Sequence, residues 1–160
     1  MERARRVKVL VLDVDGVLTD GRLYISAAGE DLKVFHVRDG SGLVALQHAG
    51  VTVAIVSGRD SAAVTRRAAE LGIVHVHQGV GDKAAGITAL MARLGVTAAE
   101  TACVGDDTPD LPMLEIAGLA IAVADAHLAL RPVVHWVTTA PGGRGAVREV
   151  CDLIIRARAS

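Results

Sequence analysis

The chain has 160 residues, 51% of them AVILMFWYC, which is enough apolar surface for one core without disulfide or metal staples. With one Phe, one Trp and one Tyr that core is aliphatic, and the stacked aromatic platforms of single-strand nucleic-acid binders are excluded. A formal charge of -1 makes Arg3, Arg5 and Arg6 a solvated terminus rather than a nucleic-acid contact.

The first apolar run, Val7–Val14, reads as a strand buried on both faces that delivers Asp13 and Asp15 at its C-terminal end. In an open α/β sheet that end faces the ligand crevice. Taken alone, two acids there are equally a solvated loop. Gly21–Ser26 and Asp31–Val37, joined by a turn at Ala27–Glu30, alternate with period 2 and predict a β-hairpin flap over about 21–37. Its apolar residues Leu23, Ile25, Leu32 and Val34 are too few to stabilise a two-stranded ribbon in water. The flap is therefore expected to pack on a second subunit or on its own domain.

From there helical and strand patterns alternate: helix Gly42–Ala49, strand Val51–Val56, helix Ser61–Leu71, strand Val74–Val76, helix Lys83–Leu94, strand Thr101–Val104, helix Pro109–Ile116, and strands Leu119–Ala122 and Val134–Val137. Repeated β-then-α units imply a parallel sheet with helices on both faces. Gly50, Gly72 and Gly95 follow helical patterns where a left-handed C-terminal residue is favoured. A Gly-rich stretch at about 138–145 precedes a last helix, Gly145–Arg156. Cys103 and Cys151 lie in apolar runs without CxxC spacing and read as buried, reduced thiols. No leader-like start and no run of about 18 apolar residues occurs, so the expectation is a cytoplasmic protein without a membrane span.

Three further strand ends carry chemistry. Ser57-Gly58-Arg59 follows the Val51–Val56 strand and offers a hydroxyl, backbone N–H groups and a cation to an oxyanion. Lys83 opens a helix after Gly79-Val80-Gly81-Asp82. Gly105-Asp106-Asp107-Thr108-Pro109-Asp110 loads another strand end with acids. Each alone has a plain reading, as a turn, a solvated Lys or a helix cap. In order they give acids, hydroxyl, ammonium and acids at successive strand ends, a set suited to phosphoryl transfer. Asp13 and Asp106 are the hard oxygen ligands Mg²⁺ prefers, and Lys83 and Ser57 can take the remaining phosphoryl oxygens. A carboxylate can itself be the nucleophile, and Asp15 can protonate the leaving alkoxide and then deprotonate water.

DVDGVLTD, IVSGR, Lys83 and GDDTPD resemble the four motifs of the haloacid dehalogenase superfamily of Mg²⁺-dependent phosphohydrolases. The resemblance implies that Asp13 is the nucleophile and Asp15 the general acid/base, with Ser57 and Lys83 on the phosphate. It implies metal ligation by Asp13, the Asp15 carbonyl and Asp106, with Asp107 and Asp110 supporting. Over nearly the whole chain, DGRLYISAAGEDLKVFHVRDGSGL, LGIVHVHQGVGDK, GLAIAVADAH and GGRGAVREVCDLI are similar to the 3-deoxy-D-manno-octulosonate 8-phosphate phosphatase family of lipopolysaccharide precursor synthesis. That implies one domain over 1–160, a Rossmann-like parallel sheet flanked by helices, an inserted hairpin flap and no large cap domain. It also implies a homotetramer with flap-shared active sites, and closure over the substrate by Gly142, Gly143, Arg144 and Gly145. A phosphorylated sugar acid is then expected to meet Gly58, Arg59, Arg144 and, from a neighbouring flap, Lys33.

Two departures bear on specificity. Ser41 stands where the family commonly has an aromatic, and no basic residue occurs in Gly42-Leu43-Val44; the chain also stops soon after Arg156, without the longer tail of some relatives. A nine-carbon sugar acid 9-phosphate of sialic type is the alternative substrate. A receiver domain shares the acids, hydroxyl and Lys but has no later GDDxxD, and a subunit that merely binds a phosphosugar needs no Asp15.

Overall fold

Val9–Leu12 (β1) contains no polar residue and is wholly buried, so both faces of the strand must be covered and neighbours must pair on both edges. In the computed structural model, which describes residues 1–159 and, for Glu30 and Asp31, the backbone alone, that is where β1 lies. The last residue of the expected span 1–160, Ser160, lies outside the described residues. The strands after β1 are Tyr24–Ser26 (β2), Gly29–Leu32 (β3), Thr52–Val56 (β4), His75–His77 (β5), Thr101–Gly105 (β6), Leu119–Ala122 (β7) and Trp136–Val137 (β8). β1 pairs in parallel with β4 (Leu10 opposite Val53) and with β6 (Leu10 opposite Ala102). The six-stranded sheet runs β5-β4-β1-β6-β7-β8 with every neighbouring pair parallel.

The helices are Glu2–Arg5 (α1), Val37–His48 (α2), Ala62–Glu70 (α3), Lys83–Leu94 (α4), Leu111–Ile116 (α5) and Ala146–Ala159 (α6). Side chains alternate across β1. Leu10 and Leu12 pack with residues of α2, α3 and α6, whereas Val9 and Val11 pack with residues of α4 and α5. The expected α/β architecture is present, and among the described residues no helix is long and apolar enough to cross a membrane. Cys103 and Cys151 are buried free thiols, and burial pushes the Cys151 thiol up to about 12.

Three of the boundaries that differ from expectation have a visible local cause. The hairpin is shorter: Ser26 pairs directly with Gly29, so only Ala27 and Ala28 make the turn, and pairing ends at Tyr24 opposite Leu32. α2 starts at Val37, not at Gly42, because His36 adopts an extended conformation and its Nδ1 accepts from the Arg38 amide at 3.3 Å. The glycines that obscure this helix are contacts: a Cβ on Gly42 would stand 3.3 Å from the Arg148 Cα on α6. β8 begins late because the amides of Val133 and Val134 both turn back to the Leu130 carbonyl.

Candidate active site

Asp13, Asp15, Ser57, Lys83, Asp106 and Asp110 gather at the C-terminal edge of the sheet, around a cleft of about 510 Å³. Asp13 follows β1 directly, and its amide is fixed by the Val104 carbonyl of β6 at 3.2 Å. The chain then turns tightly: the amides of Val17, Leu18 and Thr19 all donate to the Val14 carbonyl. Gly16 has φ +90°, and a Cβ there would lie 2.0 Å from Asp106 Oδ2, so only glycine fits beneath that carboxylate. Thr19 Oγ1 accepts from the Gly16 and Gly21 amides at 3.3 and 3.2 Å and closes the loop from within.

Lys83, the first residue of α4, is positioned by its neighbour Asp82, whose side chain caps the helix by accepting from the Ala85 amide at 3.0 Å. Its buried ammonium donates to Asp13 Oδ1 at 2.6 Å and to Asp110 Oδ1 at 2.5 Å. The other oxygen of Asp110 accepts from the Asp106 and Asp107 amides at 2.9 and 3.4 Å. Asp110 thereby ties the loop after β6 to Lys83. Asp107 caps its own 3₁₀ turn by accepting from the Thr108 amide at 2.7 Å.

Electrostatics set this corner apart. Carboxylate oxygens of Asp13, Asp106 and Asp110 lie within 4.8 Å of one another. Burial, then the negative charges of Asp13 and Asp110, push Asp106 up to about 8. Burial and Asp110 push Asp13 to about 6 against the opposing pull of Lys83. Burial disfavours the Lys83 ammonium, but Asp13 and Asp110 outweigh it and raise its pKa. Carboxylates crowded until they hold protons near neutrality are the donor set a hard divalent cation relieves. Asp110 is spent on Lys83 and two amides, which leaves the carboxylates of Asp13 and Asp106 to meet such a cation.

Asp15 stands apart from the crowd. Its Oδ1 accepts from Lys33 Nζ at 2.6 Å, and Arg59 Nε lies 3.8 Å from its Oδ2. As a metal ligand Asp15 therefore has its main-chain carbonyl to offer, not its side chain. Lys33, expected to reach the sugar acid from a neighbouring flap, places its ammonium on Asp15 of its own chain, just beyond the hairpin ladder at Leu32 and with its side chain 2% exposed. Ser57 is buried, with its amide on the His77 carbonyl at 2.9 Å and its Oγ accepting from the Arg59 amide at 3.3 Å. Gly58 and Arg59 line the cleft with it.

Arg144 is exposed and absent from the cleft lining. The glycines beside it do not lie over the mouth; Gly142 and Gly143 press against the Gly16–Asp20 loop. Sequence reasoning also passed over Asp39, a buried carboxylate on α2 that accepts from the Gly145 and Arg148 amides at 3.3 and 2.8 Å and so caps α6. Nothing local marks that role, since the partners are more than a hundred residues away.

An acid pair after β1, a hydroxyl after β4, an ammonium opening α4 and an acid loop after β6, on a parallel sheet in this order, define a phosphohydrolase of the haloacid dehalogenase type. The family model described as haloacid dehalogenase-like hydrolase matches residues 70–148. The 3-deoxy-D-manno-octulosonate 8-phosphate phosphatase of Salmonella typhi is 47% identical over 158 residues, 99% of this chain and 84% of that protein. The crystal structure of the same enzyme from Yersinia pestis superposes with a TM-score of 0.96 at 46% identity, covering 99% of this chain and 85% of the other. That from Moraxella catarrhalis, in complex with a magnesium ion, a phosphate ion and a KDO molecule, has a TM-score of 0.96 at 44% identity and covers 99% and 91%. The chain belongs to the 3-deoxy-D-manno-octulosonate 8-phosphate phosphatase family.

Proposed function

We propose that this chain hydrolyses 3-deoxy-D-manno-octulosonate 8-phosphate to the free sugar acid and phosphate. The observation that carries the reading is the separation of two acids two residues apart: Asp13 on Lys83 beside Asp106, and Asp15 on Lys33. One is placed to attack and the other to move protons. An Asp13 carboxylate oxygen attacks phosphorus, the bond to the sugar oxygen breaks, and Asp15 gives that oxygen its proton. Water then attacks phosphorus of the phosphoryl-Asp13 mixed anhydride, the bond from phosphorus to the Asp13 oxygen breaks, the water proton passes to Asp15, and phosphate and free Asp13 result. Lys83 neutralises charge beside the nucleophile, and Ser57 with the amide of Gly58 receives phosphoryl oxygens. Mg²⁺, held by Asp13, Asp106 and the Asp15 carbonyl, would offset repulsion between these carboxylates and the phosphoryl oxygens. Arg59, half exposed at the cleft, is the cation this reading gives to the sugar carboxylate.

The same reading places the enzyme in the cytoplasm, where free thiols such as Cys103 and Cys151 stay reduced, and assembles it as a homotetramer through the flap. Activity on octulosonate 8-phosphate and on a nonulosonate 9-phosphate, each with Mg²⁺ and with EDTA, tests the substrate. Preference for the eight-carbon ester by about tenfold or more in kcat/KM, lost with EDTA, is the expected result; about 1.4 kcal/mol of differential contact suffices for it. Preference for the nine-carbon ester, or full activity in EDTA, would overturn the corresponding half.

A further inference from the structure

The Gly-rich stretch before α6 is bound at its amides, one after another. Glu149 accepts from the Thr139 and Ala140 amides at 2.8 Å each, Asp125 Oδ1 accepts from the Gly142 amide at 2.9 Å, and Asp39 takes the Gly145 amide. Between these anchors the Gly143 amide donates to the Val17 carbonyl at 2.9 Å. A Cβ on Gly142 would stand 1.7 Å from the Gly16 carbonyl oxygen, and one on Gly143 would stand 2.4 Å from the Asp20 amide nitrogen. Backbone thus lies directly on backbone, an approach that any side chain would block. The loop so covered begins at Gly16, the residue after Asp15. Thr19 pins it from inside; Gly142 and Gly143 pin it from outside.

Asp125 stands out among the anchors. It is exposed, it follows β7, and it does not line the cleft. Asp39 ties α2 to the start of α6 and Glu149 ties the beginning of the stretch to α6, whereas Asp125 holds the amide of the residue that lies against the Gly16 carbonyl.

We propose that Asp125 is a positioning residue for the phosphatase reaction: by fixing Gly142 it seats the Gly142–Gly143 backbone on the Gly16–Asp20 loop and holds Asp15 at the angle from which it protonates the leaving oxygen. The inference rests on the phosphatase reading above. In the step concerned, the bond from Asp13 to phosphorus forms as the bond from phosphorus to the ester oxygen breaks, and the Asp15 proton moves to that oxygen. An alkoxide needs the proton; a nitrophenolate leaves without it. Because kcat/KM reports steps only as far as transfer to Asp13, comparing the two esters isolates the proton's angle from general damage.

The test is kcat/KM for octulosonate 8-phosphate and for p-nitrophenyl phosphate in Asp125→Ala and Asp125→Asn, with amide hydrogen exchange over residues 16–21 as a readout independent of activity. A small displacement of a reacting group costs up to about a hundredfold, so Asp125→Ala is expected to lose roughly ten- to a hundredfold on the alkyl ester and less than about threefold on the aryl ester. Asp125→Asn keeps an acceptor oxygen for the Gly142 amide and is expected to restore both. Exchange over 16–21 is expected to quicken in the Ala variant only. Equal losses on the two esters, no loss, failure of Asn to rescue, or unchanged exchange in Asp125→Ala would overturn the proposal while leaving the phosphatase reading intact. A parent enzyme that hydrolyses neither ester would overturn both.

Discussion

Lys83 and Lys33 each hold one acid of the pair after β1, at 2.6 Å in both cases, so Asp13 and Asp15 are kept apart on separate counter-ions although only Val14 lies between them. Recognition of a sugar acid by Lys33 and orientation of Asp15 by Lys33 make different kinetic demands. Lys33→Ala is expected to lower kcat by roughly ten- to a hundredfold and to change KM less than about threefold, because an orientation is lost rather than a ground-state contact. A rise in KM confined to the sugar-acid ester would return Lys33 to recognition. The acid cluster makes a second demand. Folding raises Asp106 to about 8 and Asp13 to about 6 from an ordinary 3.8, so between those values the native chain binds more protons than the unfolded one. A carboxyl raised by folding contributes stability below its unfolded pKa and loses it as pH rises through the folded one. Metal-free protein should therefore lose stability from about pH 6.5, the ordinary value of the His77 and His135 imidazoles whose own titration lies below it, to about pH 8. Mg²⁺ should raise Tm more at pH 8 than at pH 6.5, since it binds the deprotonated site. In Asp106→Asn the metal-free decline should flatten and the Mg²⁺ effect shrink; an unchanged pH profile would refute the assignment.

Secondary-structure elements differ in how openly their sequences announce them. Lys83–Leu94 was legible to the residue because both ends carry local chemistry: Asp82 caps the start, and Gly95 stops the helix at φ 65°. α2 was not: the alternation of Asp31–Val37 carried the strand pattern to Val37, and the helical pattern was read only from Gly42, five residues after the helix begins. Only the structure shows that Gly42 is small so that α2 can lie against Arg148 and Cys151 of α6. Gly42→Val adds good van der Waals volume in the wrong place, 3.3 Å from the Arg148 Cα and the Cys151 Cβ. It is expected to lower unfolding free energy by about 1–3 kcal/mol in denaturant titration. Ser41→Ala, on the exposed side of the same helix, should stay within about 0.5 kcal/mol; equal effects would show that the α2–α6 contact is not the constraint.

At the scale of the molecule, the order of motifs along the chain was enough to place the candidate acids, hydroxyl and ammonium on one edge, because parallel β-then-α units deliver every loop after a strand to the same side. What sequence could not supply was the partner of each long-range contact, such as Asp125 on Gly142 or Lys33 on Asp15. The hairpin shows the opposite balance: its existence was readable, and its exposure is the informative part. Leu23 is 43% exposed, Ile25 65%, Leu32 52% and Val34 53%, with Val37 beyond them at 72%. Apolar residues clustered on a ribbon too short to be stable alone call for a covering surface, and the proposed homotetramer supplies it from a second copy. Ile25→Asp places a charge at the most exposed of these hairpin positions without touching the cleft. Light scattering is expected to show the assembly fall to smaller species, and amide exchange of the hairpin is expected to quicken while that of β1 holds. A parent chain that is monomeric, or an Ile25→Asp variant that keeps the parent's mass, would remove the hairpin from the interface.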